Sequence, residues 1–313
     1  MINKHFFGQT VFRMSSKIEC VTLVIVGCGN RGNIYSTYCE EFPERARVVA
    51  VAEPNAARRA QTAKRFALAE SGEGKVFADW REVMEAPRRV ADAALICLQD
   101  QDHREAAVAF AGRGYHILLE KPMAVTREDC EEIAVAVEAA GVMFAIGHVL
   151  RYTPYSRLLH RLIHQDRLIG RVVNMQHLEP IGFAHAAHSY VRGSWGNTAR
   201  SSPLLLAKSC HDVDWILWMM KGHACTAVSS FGSRMLFRKE SKPPEAGASL
   251  RCLDCHYEPS CPYSAPKLYL RGDAAGMERN HWVGKIVDPK EGRAINDDDI
   301  IEALRDGPYG RCV

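Results

Sequence analysis

Residues 21–32 read VTLVIVGCGNRG, a largely aliphatic run that ends in glycines at Gly27, Gly29 and Gly32. The run predicts a buried strand, and the mixed polar and apolar text that follows to Pro43 predicts a helix, so the glycines fall on a strand-to-helix turn. In that setting the GxGxxG spacing suits a dinucleotide pyrophosphate. Gly27 permits the tight turn, Gly29 lets the backbone approach the phosphates, and Gly32 allows close helix-strand packing. The helix N-terminus offers oriented N–H groups to the anion. Asn30 and Arg31, inside the turn, are counted with the glycines as cofactor-binding residues.

Outward from this turn the alternation continues. RVVAVAEPN at 47–55 predicts a second strand ending at Glu53. A carboxylate about twenty residues after the glycines accepts hydrogen bonds from the adenosine ribose hydroxyls and repels a 2′-phosphate. NAD is therefore favoured over NADP, with Arg58 and Arg59 just beyond softening the preference. A helix over 56–69, strands at 93–98, 116–119 and 143–147, and helices over 103–112 and 127–140 complete the pattern. Strands alternating with helices at this spacing indicate an α/β fold with a parallel, doubly wound sheet. This first domain spans 21–151, after a tail at 1–20.

The text then changes. A strand at 171–179, a loop rich in Gly, His and aromatic residues to Ser202, an apolar helical stretch over 204–220 and a strand at 226–231 are separated by irregular Gly/Pro/Cys-rich sequence. Residues 152–313 are expected to form an α+β domain with a mainly antiparallel sheet. The acidic text at 297–299 reads as a helix start favoured by the dipole.

Of 313 residues, 47% are hydrophobic and 25% charged, which excludes disorder as the main state. Forty Lys plus Arg against 37 Asp plus Glu, without basic runs, argue against nucleic acid as a partner. No stretch approaches the ~18 apolar residues of a membrane span. Eleven cysteines and no secretory signal imply reduced thiols in a cytosolic setting. The tail, with Lys4, Arg13 and Lys17 among Phe6, Phe7, Val11 and Phe12, reads either as a mitochondrial presequence or as a segment before a second start at Met14.

Periodicity leaves Glu120, Lys121 and Pro122 unexplained: a charged EKP triplet ends the apolar strand HILL, at the sheet edge where open α/β folds place ligands. With GCGNRG, AEPN and the stretch from Leu98 to His103, it resembles the glucose-fructose oxidoreductase/inositol dehydrogenase (Gfo/Idh/MocA) family. The resemblance implies a nicotinamide-binding Rossmann domain followed by a sheet domain that holds a sugar or cyclitol and forms homo-oligomers. It assigns Lys121 a catalytic place beside the nicotinamide, and an ammonium there can hydrogen-bond the substrate oxygen and stabilise developing negative charge. Gln99, His103 and Glu120 match positions near the cofactor, and His103 reads equally as a helix-start residue.

KSCHDVDW at 208–215 sets Lys208, His211, Asp212 and Trp215 on one helical face. It looks like the family's second catalytic segment, in which an aspartate precedes the histidine by four residues. Here that position is Ala207, which leaves Lys208 as a substitute and His211 as the proton-transfer residue. Asp214 faces more nearly the other way and reads as structural. Arg151, Tyr152, Arg192 and Trp195, with Asp212, offer the charged and aromatic contacts that sugars use.

CLDCHYEPSC at 252–261 places Cys252, Cys255 and Cys261 at a metal-ligand spacing, with Cys312 or His256 available as a fourth ligand of a structural zinc. A disulfide and free thiols are the rival readings. Members of the resembled family continue past the point where GPYGRCV stops, so the second domain is expected to be incomplete. The function expected is NAD-dependent hydride transfer to or from a secondary alcohol of a sugar, cyclitol or related polyol. The alternatives are a non-catalytic NAD-binding regulator and NAD-assisted glycoside cleavage.

Overall fold

The computed structural model describes residues 20–68, 75–271, 280–288 and 293–313. The expected tail at 1–20 lies outside them apart from Cys20. Six strands, β1 (Val21–Val26), β2 (Ala46–Ala52), β3 (Lys75–Phe77), β4 (Ala93–Ile96), β5 (His116–Leu119) and β6 (Phe144–Ile146), form one parallel sheet in the order β3-β2-β1-β4-β5-β6. The helices between them are α1 (Asn30–Glu41), α2 (Ala56–Arg65), α3 (Trp80–Glu85), α4 (His103–Gly112) and α5 (Arg127–Ala140). The chain reverses direction through the sheet between β1 and β4, and such a switch point opens a ligand crevice at the carboxyl ends of the strands.

The aliphatic run that suggested a buried strand is one. Val24, Ile25 and Val26 are fully buried, Val24 and Val26 in a cluster with Ile96, Phe110, Tyr115, Leu119 and Ile133, and Ile25 in a second cluster with Cys39 and Val51. With a core on each side, β1 has no polar face to alternate. The other boundaries follow local chemistry. The Thr126 hydroxyl accepts the Asp129 amide at 3.1 Å to start α5, which ends at Gly141 in the left-handed region (φ 63°).

Beyond β6 a 3-10 turn (Val149–Tyr152) leads into α6 (Pro154–His164), capped by Thr153. Then come α7 (Phe183–His185) with a π-helical continuation to Arg192, α8 (Leu204–Ala207), α9 (Cys210–Met219), α10 (Asn280–Ile286) and α11 (Asp297–Asp306). α6 and α9 pair through the Trp215 indole, which donates to the Ser156 hydroxyl at 3.0 Å, and through His160 stacked on Trp218 at 4.3 Å. A separate core gathers Ala184, Cys252, Leu268, Tyr269, Trp282, Ile300 and Leu304. The acidic helix start is confirmed by a capping box between Asn296 and Asp299. Among the described residues no helix is long and apolar enough to cross a membrane.

Two expectations for this half are corrected. No antiparallel sheet forms among the described residues; Arg251 and Arg311 form an isolated antiparallel bridge. The segments at 171–179 and 226–231 carry strand-like text without a neighbouring strand, and Val173, Leu178, Val228 and Phe231 are 78–95% exposed. A strand's backbone groups need an edge to pair with, and side-chain pattern cannot supply one. The helical stretch 204–220 is also not continuous: it breaks at Lys208 and Ser209, between α8 and α9.

Candidate active site

The glycine turn has the geometry a pyrophosphate needs. Gly27 sits at φ +91°, and a Cβ there would lie 2.5 Å from the Cys97 carbonyl oxygen. A Cβ on Gly32 would lie 2.2 Å from the Gly27 carbonyl, so α1 touches the turn it follows. Gly29 differs: nothing stands within 4 Å of its missing Cβ, which leaves the helix start open. No side chain caps α1, and its leading N–H groups are left for an anion. At the end of β2, Glu53 is buried and oriented by two backbone donors, Cys28 N–H to Oε2 at 2.8 Å and Asn55 N–H to Oε1 at 2.9 Å. Arg58 is held by Asp288 at 2.7 Å, and Arg59 donates to the Glu53 carbonyl at 2.6 Å. Glycines and carboxylate thus fit a dinucleotide without rearrangement.

The EKP turn lies beside it at the end of β5, and the Lys121–Pro122 peptide is cis. Glu120 is buried; its carboxylate accepts the Tyr35 hydroxyl of α1 and the Lys121 amide at 3.0 Å, and stands 3.8 Å from Arg31. Gly147, just past β6, makes room for this contact: a Cβ there would lie 2.8 Å from the Tyr35 hydroxyl. The Lys121 ammonium turns toward the second half of the chain. It donates to the Ala207 carbonyl at 2.9 Å and lies 5.5 Å from the Trp195 ring centroid. Ala207 ends α8, where carbonyls have no helical partner.

His211, in the first turn of α9, completes the cluster. It is buried, its ring is 5.8 Å from that of His148, and its pKa is lowered to about 4 from 6.5. Burial is the main cause, followed by the positive charge of Lys121 and then by His148, Lys208 and Arg31. His211 is thus neutral at pH 7 and able to accept a proton. His148 is also pushed down, chiefly by burial, and lies 3.3 Å from Asp214. Asp212 accepts from His177 at 2.8 Å, and Lys208 pairs with Glu179 at 2.9 Å. Three buried atoms in this cluster have no hydrogen-bond partner: His211 Nδ1, His148 Nε2 and Asp212 Oδ2. Buried polar atoms are normally satisfied, so among the described residues these orphans are candidate partners for a polar ligand.

Lys121 lies beside Trp195 and acts electrostatically on His211, while Asp212 is turned to His177; Trp195 is fixed by its indole donating to Asp100 at 2.9 Å. Other assignments change. Arg151 is held by Asp214 through two bonds of 2.6 Å, in keeping with the structural reading of Asp214. Tyr152 projects into solvent at 69% exposure. Arg192 is buried among carbonyls at the cysteine loop, 2.9 Å from the Arg311 oxygen. His103 is fully buried with its ring nitrogens 2.7 and 3.3 Å from the Pro122 and Leu98 carbonyl oxygens, so it braces the EKP turn and does not face a cofactor. Lys208 falls at the helix break rather than on the α9 face. Tyr35, His148, His177, Glu179 and Asp100 were not singled out. The one signal available was position: His148 directly follows the last strand at the ligand-binding edge.

Fold and crevice together define a dinucleotide-binding Rossmann protein. Residues 21–148 match the Gfo/Idh/MocA family model, described as an oxidoreductase family with an NAD-binding Rossmann fold. The chain is 27% identical over 210 residues to 2,7-anhydro-N-acetylneuraminate hydratase of Mediterraneibacter gnavus, covering 66% of this chain and 50% of the relative. It is 25% identical over 206 residues to inositol 2-dehydrogenase 2 of Saccharopolyspora erythraea, covering 66% and 55%. The chain thus spans about half the length of these curated relatives. The crystal structure of the WlbA dehydrogenase from Bordetella pertussis, in complex with NADH and UDP-GlcNAcA, superposes with a TM-score of 0.51 at 22% identity, with 64% of this chain and 58% of that one covered.

Proposed function

We propose that the chain is an NAD-dependent oxidoreductase that moves a hydride between the nicotinamide and a secondary alcohol of a sugar, cyclitol or related polyol. The observation that carries this reading is the unsatisfied histidine beside the lysine: neutral His211, with Nδ1 unpartnered, adjoining the Lys121 ammonium at the carboxyl edge of the sheet. Bound NAD supplies the hydride acceptor. Gly27, Gly29 and Gly32 would receive its phosphates, and Glu53 its adenosine ribose. The Lys121 ammonium hydrogen-bonds the substrate oxygen and stabilises charge developing on it, while His211 takes the hydroxyl proton. Trp195 offers its ring to the sugar, and Asp212 its free oxygen to a neighbouring hydroxyl. Lys208, paired with Glu179, acts through its charge on His211. The relative named inositol 2-dehydrogenase 2 supports a cyclitol among the substrate classes.

Reduced-cofactor absorbance in the presence of a polyol panel tests the reading. Net NADH formation with at least one cyclitol or sugar is expected. Turnover of a glycoside or anhydro-sugar with no net NADH would overturn it.

A further inference from the structure

Four cysteines outside the active site meet at one place. The loop 252–261 carries Cys252, Cys255 and Cys261. Cys312 reaches it because Arg251 and Arg311 form the antiparallel bridge, and the Cys312 amide donates to the Leu250 carbonyl at 2.9 Å. All four thiols line one cavity of about 30 Å³, together with Arg192, Lys242 and Glu258. Nothing in the proposed oxidoreductase chemistry uses this cluster.

The charges around it are unbalanced. Arg192 is only 4% exposed, yet no carboxylate pairs with it among the described residues. Its Nε donates to the Arg311 carbonyl at 2.9 Å and its Nη2 to the Tyr263 carbonyl at 2.6 Å, with Cys252 Sγ 3.5 Å away. Among the described residues its Nη1 has no hydrogen-bond partner. A buried guanidinium held only by carbonyl oxygens and a sulfur is costly, because carbonyl dipoles offset only part of its lost hydration. Glu258, a carboxylate in the lining, is taken by Arg271 at 2.9 Å and by the Ser264 hydroxyl.

We propose that Cys252, Cys255, Cys261 and Cys312 hold one zinc ion as a closed structural site. Four thiols release four protons to solvent and form four Zn–S bonds, with no change in oxidation state. The resulting centre carries two net negative charges, and Arg192 and Lys242 are the two cations on its wall. As described, no three of the sulfurs lie within 4.8 Å of one another, so coordination at ~2.3 Å draws the side chains inward by rotation within a backbone frame already closed. His177, Glu179 and Asp212 do cluster within 4.8 Å, but Lys208 occupies Glu179 at 2.9 Å and His177 is bonded to Asp212, which leaves that group compensated without a metal.

The test uses the whole chain grown with zinc and desalted before elemental analysis. About one zinc per chain is expected, falling to background in Cys255→Ser and in Cys312→Ser and retained in His177→Ala. Since a cysteine variant can fail to fold, cobalt(II) added to the metal-stripped parent chain gives a second reading. It should produce the visible bands of a tetrahedral tetrathiolate and a thiolate-to-cobalt charge-transfer band, both abolished by zinc. Metal-free protein without cobalt–thiolate absorption, a Cys255–Cys312 disulfide found by peptide mass, or zinc lost in His177→Ala but kept in both cysteine variants would each overturn the proposal.

Discussion

The Lys121 ammonium donates to the Ala207 carbonyl oxygen across 2.9 Å. Ala207 ends α8, so the lysine is tied to a helix-terminal backbone carbonyl and not to a carboxylate. A carbonyl orients an ammonium but takes no proton from it, and in the proposed reaction the proton acceptor of the pair is His211.

Lys121→Ala should therefore lower kcat/KM by ~10²–10⁴, the usual loss for one well-placed acid/base group. Its only described side-chain contacts lie on the substrate side, so the Kd for NADH, read by fluorescence, should change little. An equal loss of cofactor affinity would place the lysine in binding alone.

The pH profile follows from His211. Its pKa in the folded chain is about 4 against an ordinary 6.5, and the neutral form is the one that accepts a proton. The acid limb of kcat/KM should fall near pH 4–5, below the usual histidine range. Stability has the same sign: between about 4 and 6.5 the unfolded chain binds the proton and the folded chain does not, so the melting temperature should drop as pH falls through that window. His211→Gln should flatten that drop.

Lys208 contributes to that depression by its positive charge. Lys208→Met should move the acid limb upward and leave the alkaline side in place. If Lys208 itself carried the proton, the same change would instead abolish turnover at every pH.

Glu53→Ser should narrow the preference for NAD(H) over NADP(H), measured by calorimetry. It also removes the acceptor for the Cys28 and Asn55 amides, and each buried donor left unsatisfied costs about 1–3 kcal/mol. A lower melting temperature should accompany the altered selectivity.

Phe110 is fully buried in the main core, with its ring 5.0 Å from that of Tyr115. Phe110→Ala should destabilise the first domain by about 3–5 kcal/mol in denaturant titration.

The Rossmann half was legible because its signals are local. An uninterrupted aliphatic run such as Val21–Val26 and glycines at fixed spacing determine both the elements and their order. The second half is organised by distant contacts. Arg192 sits in HSYVRGSWGN beside aromatic residues, a setting that suggests sugar binding, but its burial depends on Arg311 and Tyr263, which are 119 and 71 residues away. His177 and Glu179 lie in text that alternates like a strand, and their approach to Asp212 and Lys208 follows from how that unpaired segment is laid across α9. The break at Lys208 was equally unreadable, since Lys and Ser interrupt no helical pattern by themselves.

Glu120 gives the two ends of the cofactor crevice a common mechanical fixture. Tyr35 and Arg31 come from the helix that follows the glycine turn, and the Lys121 amide comes from the turn after β5, yet all three converge on one carboxylate. A small rotation of α1 as it grips an anion would thus be geared directly into the lysine turn, with Gly147 as the clearance that lets the parts mesh. Gly147→Ala would jam that linkage, and it would register as a weakened dependence of Lys121's reactivity on whether the dinucleotide is bound.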